Sequence, residues 1–94
     1  MKYEGHVEAG YEPVARAFVE NFQRRGEVGA AVAVYHRGKP VVDIWAGVAD
    51  KASGRPWERD TLALLFSATK GIVATACLMA VERGLLELDV PIAK

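Results

Sequence analysis

The chain has 94 residues, enough for one hydrophobic core at most, and a domain of this size buries only roughly 60 to 65% of the surface its unfolded chain exposes. Apolar residues make up 51%, charged residues 26% and aromatics 9%, which excludes disorder throughout. Twelve Lys and Arg balance twelve Asp and Glu and are scattered, so the electrostatic footprint of a nucleic-acid or anionic-membrane binder is missing.

The single cysteine, Cys77, has no partner for an intrachain disulfide, and neither His6 nor His36 has companions at metal-ligand spacing. No metal or cofactor is therefore expected. The opening MKYEGHVEAGYEPV contains acids and no long apolar run, and no stretch approaches the length of a membrane span. The expectation is a cytoplasmic protein that is not membrane-bound.

In chain order, the first predicted element is an amphipathic helix from about Pro13 to Arg25. Val14, Ala17, Phe18 and Phe22 fall on one face, and Arg16, Glu20, Gln23 and Arg24 on the other. Pro13 suits the first turn and Gly26 the position just past the end. Gly29 to Tyr35 and Val41 to Ala49 follow as two Val-rich runs joined by His36-Arg-Gly-Lys-Pro40, which predicts a β-hairpin. On its second strand Val42, Ile44, Ala46 and Val48 share a face. Val41, Asp43, Trp45 and Gly47 share the other, so both sides of the sheet are expected to be partly covered. Asp50 to Pro56 has turn chemistry and reads as a surface loop.

A second helix is predicted from Ser67 to about Arg83, stopped by Gly84, with an extended or turning segment from Leu85 to Lys94. This helix is apolar on nearly every face and is expected to be buried. Two helices and a hairpin of this character leave more apolar surface than 94 residues can cover, so residues 1–94 read as one part of a larger domain, or as a subunit that self-associates or needs a completing chain.

Ser67 and Lys70 stand three residues apart where this helix begins, a spacing that puts both side chains on one helix face. A serine hydroxyl needs an adjacent base to act as a nucleophile, and a neutral lysine amine can be that base. Burial and the positive end of the helix dipole would both favour the neutral amine, and the backbone N–H of Ser67 is a natural half of an oxyanion hole. On spacing alone a second reading stays open, with Ser67 as a helix N-cap and Lys70 a solvated first-turn residue. Cys77 reads as a small core hydrophobe, Trp45 and Trp57 as packing residues, and Asp43 as an edge or surface charge.

The stretch from Pro56 to Gly71, which contains Leu65-Phe-Ser-Ala-Thr-Lys70, resembles the active-site serine region of the serine β-lactamase and penicillin-binding-protein superfamily. Gly38-Lys-Pro-Val-Val-Asp-Ile-Trp-Ala-Gly47 with Ala49-Asp50 is similar to the hairpin of its class C-like esterase branch, the family VIII carboxylesterases. The resemblance runs from about Val14 to Lys94 and implies an α+β fold: the N-terminal segment of a β-lactamase-like domain, with helix, antiparallel hairpin and buried helix carrying S-x-x-K. It implies acyl transfer from a small-molecule ester or β-lactam to Ser67, assisted by Lys70, with D,D-peptidase and D-aminopeptidase activities as neighbours. The family pattern also needs a Tyr-x-Asn or Tyr-x-Ser element and a Lys-Thr-Gly-like or His-x-Gly strand after the serine. Neither follows Lys70, since Tyr3, Tyr11 and Tyr35 all precede Ser67 and His36-Arg-Gly38 lies in the hairpin link. A catalytically incomplete fragment, acting as a structural or interaction module, is the alternative from a different class.

Overall fold

The computed structural model describes residues 1–93 of the chain. They fall into two compact units, the first spanning Met1–Leu62 and the second beginning at Ala63.

In the first unit the central element is strand β3, Lys39–Asp50, long enough to pair with three partners. Strand β2, Gly29–His36, runs antiparallel along one side with Val32 opposite Ile44 and Ala30 opposite Ala46. Strand β1, Glu4–Val7, runs antiparallel along the other, with Gly5 opposite Ile44 and Val7 opposite Val42. The two-residue strand β4, Arg55–Pro56, pairs with the end of β3. The hairpin link is a tight turn at Arg37 and Gly38, with φ of 54° and 77°. Two successive positive φ values match the right-handed twist of the flanking strands. The register shifts between Val34 and Tyr35, which face Val42 and Pro40, so that Val41 is an extra residue on β3, as in a β-bulge.

Helix α1, Glu12–Arg24, has Pro13 in its first turn and Glu12 accepting a hydrogen bond from the Gly10 N–H at 2.8 Å. Its end is one residue earlier than the spacing predicts, with the Arg25 N–H donating back to the Asn21 carbonyl at 3.0 Å. Ala15 and Phe18 from α1 join Val42, Ile44 and Ala46 from β3 in the core, and Val14, Phe22, Ala30, Val32 and Val34 pack against them. Val42 and Ile44 are fully buried. Each such side chain contributes roughly 1.5–3 kcal/mol, so this single layer of helix on sheet holds the unit together.

The opposite face of the sheet is covered unevenly. Asp43 and Trp45 are half-buried, whereas Ala31, Ala33 and Tyr35 on β2 are exposed; Val41, at the register irregularity, is buried with the core cluster of Ala15, Phe18, Val42, Ile44 and Ala46. Of the two readings of Asp43, edge or surface charge, the second holds: β3 lies between β1 and β2, and the carboxylate pairs at the surface with Arg59 at 3.7 Å. Trp57 is half-buried and donates its backbone N–H to the Gly47 carbonyl at 2.9 Å.

The second unit has a single 3₁₀ turn, Phe66–Ala68, running into helix α2, Thr69–Glu82. Gly84, with φ of 74°, ends it, and the N–H groups of Gly84 and Leu85 return to the carbonyls of Val81 and Ala80. Residues 85–93 form bends and turns, and Lys94 lies outside the described residues. Among the described residues none of this helix is buried, and Ile72, Val73, Leu78 and Met79 are about half exposed or more, which is the surplus of apolar surface expected of these 94 residues; the burial of α2 expected in a larger domain is not supplied by them. Cys77 is likewise exposed where a core position was expected. The physical reason is the same for both, since α2 has apolar side chains on all faces and, among the described residues, its own unit contains no other long helix or strand to cover them.

Candidate active site

The chain enters α2 through a backbone conformation that side-chain-bearing residues avoid. Phe66 has φ of 48°, one of two non-glycine residues in the left-handed region among the described residues; the other, Arg37, lies in the hairpin turn that requires it. For a bulky L-residue this conformation costs roughly 1–2 kcal/mol. Nothing in the sequence signals it, because positive φ is ordinarily marked by Gly, Asn or Asp.

Ser67 follows at once, in the middle of the 3₁₀ turn. The Ala68 N–H donates to the Leu65 carbonyl at 3.1 Å, and the Thr69 N–H is shared between the carbonyls of Phe66 and Ser67. The cap of the 3₁₀ turn is Leu65 and that of α2 is Ala68, and neither start has a side-chain cap hydrogen bond. The N-cap reading of Ser67 therefore fails, since its hydroxyl does not satisfy either helix start.

Lys70 lies in the first turn of α2, three residues on from Ser67. The two side chains border one shallow, open surface depression with Phe66, Thr69, Val73 and Ala74. These six positions follow helical spacing along one face, polar around Ser67 and Lys70 and apolar at Phe66, Val73 and Ala74. Ser67 and Lys70 are both exposed, so the burial that the sequence led one to expect around the lysine is not supplied by the described residues. Farther along, the Thr75 hydroxyl donates to the Gly71 carbonyl at 2.8 Å, turning a polar side chain back onto its own helix.

The remaining residues singled out from the sequence lie elsewhere. Tyr3, Tyr11, Tyr35, His6, His36, Asp43, Trp45 and Trp57 belong to the first unit, and His36 borders the hairpin turn. Among the described residues no group of three His, Cys, Asp or Glu side chains is placed to hold a metal ion. Among the described residues no helix is long and apolar enough to cross a membrane.

Comparison with known proteins bears on the whole of this arrangement. The chain is 42% identical over 90 residues to Esterase/beta-lactamase LipL of Mycobacterium tuberculosis, a match covering 96% of this chain and 21% of that protein. It is 42% identical over 77 residues to Esterase EstB of Burkholderia gladioli, covering 82% of this chain and 20% of the esterase. A Beta-lactamase of Yersinia enterocolitica is 35% identical over 72 residues, 77% of this chain and 18% of that protein. The chain thus spans about a fifth of the length of the curated relatives it matches. Among solved structures, a family VIII carboxylesterase superposes with a TM-score of 0.92 at 35% identity, over 99% of this chain and 25% of that one. The helix, the antiparallel hairpin and the serine-bearing helix start thus have their counterparts in one fold, and the sequence model of the Beta-lactamase family matches residues 14–94: the chain belongs to that family.

Proposed function

We propose that the protein carrying this chain is a serine hydrolase that cleaves carboxylic esters of small molecules through an acyl-enzyme on Ser67. The observation that carries the reading is the start of α2, where a serine hydroxyl that caps no helix borders the same open depression as a lysine one turn away. Lys70, as the neutral amine, takes the proton from Ser67 Oγ as that oxygen attacks the ester carbonyl. The Oγ–C bond forms, the ester C–O bond breaks, and the alcohol leaves with the proton. Water then adds to the acyl carbon, the acid departs, and the Ser67 hydroxyl is restored. The Ser67 N–H supplies one donor to the oxyanion that forms in each step. The other family elements, a Tyr-x-Asn or Tyr-x-Ser and a late Lys-Thr-Gly-like or His-x-Gly strand, are to be sought in sequence beyond these residues or in a completing chain.

The likeness to a β-lactamase of Yersinia enterocolitica favours a second acyl donor, a β-lactam whose amide opens on the same oxygen. Steady-state turnover of p-nitrophenyl esters and of a chromogenic cephalosporin by the protein expressed from its full reading frame separates the two. Ester turnover should fall at least about a thousandfold in both Ser67→Ala and Lys70→Ala. Lys70→Arg should not restore it, because a guanidinium keeps the charge and cannot act as the base. Ester turnover that survives Ser67→Ala would remove the reading, and cephalosporin turnover without ester turnover would replace it by the second.

A further inference from the structure

We draw no further inference here: the strongest candidate, the exposed apolar surface patch of helix α2 around Ile72, Val73, Leu78 and Met79, carries nothing because nothing in the structure shows what covers it.

Discussion

The hydroxyl of Ser67 caps neither the 3₁₀ turn nor α2, and this is what distinguishes it from the many serines found at helix starts. The three-residue spacing from Ser67 to Lys70 is legible in the sequence. The backbone of Phe66 is not, because a φ of 48° in an aromatic residue leaves no compositional trace. Trp57 presents the opposite problem: its Nε1 is buried without a hydrogen-bond partner among the described residues. An indole N–H removed from water and left unpaired costs about 1–3 kcal/mol. Trp57→Phe removes that group along with part of the ring, so the two effects offset one another. Its expected loss in chemical denaturation is no more than about 1 kcal/mol, where truncation of a well-partnered tryptophan would cost about 3.

At the scale of elements, β3 organises the first unit and Gly47 is its most constrained position. It has φ of 83°, and a Cβ there would meet the Phe22 ring at 2.8 Å and the Val28 carbonyl oxygen closer still. Gly47→Ala combines left-handed strain with overpacking and should destabilise by about 2 kcal/mol or more, measured as a shift in the denaturation midpoint. The turn after β3 titrates. The Asp50 carboxylate accepts hydrogen bonds from the Ser53 hydroxyl at 2.9 Å and the Ala52 N–H at 3.1 Å. The Ser53 hydrogen bond first, then the Ala52 N–H and nearby Arg55, hold its pKa below the ordinary value near 3.8. A depressed folded-state pKa stabilises the turn above that ordinary value, and the contribution is lost as pH falls below it through the folded-state pKa. Carboxyl chemical shifts of Asp50 should therefore titrate with a midpoint below 3.8, and Ala52 amide exchange should quicken over the same interval.

Which elements could be read in advance follows from where their signal resides. Helix α1 and the hairpin have local signals: apolar periodicity in Val14, Phe18 and Phe22, Pro13 in the first turn, and Val-rich runs on either side of Arg37-Gly38. Strand β1 has none, since Glu4-Gly-His-Val7 contains one large apolar residue and exists as a strand because β3 has a second edge to pair. The same holds for β4, whose two residues read as loop until the end of β3 is there to bond them. For α2 the helix itself was legible through Ala-rich composition and Gly84, and its start was displaced to Thr69 by the intervening 3₁₀ turn.

For the molecule as a whole, the dominant fact is apolar surface. Leu62, Leu64, Phe66, Leu85, Leu88 and Ile92 are all more than two-thirds exposed. Surface of this kind on an isolated chain drives association, so the 94-residue polypeptide produced alone is expected to elute from size-exclusion chromatography above its monomer position. A compact, well-behaved monomer would contradict that. The relatives are about five times longer than the segment matched here.

The central claim is that Ser67, activated by Lys70, is the nucleophile. Its most direct test is intact mass spectrometry before and after a fluorophosphonate probe, with peptide mapping of the adduct, on the parent protein, Ser67→Ala and Lys70→Ala. The account predicts one adduct, on Ser67, absent from Ser67→Ala and strongly reduced in Lys70→Ala. No adduct on a folded parent protein, or one that persists in Ser67→Ala, would contradict it.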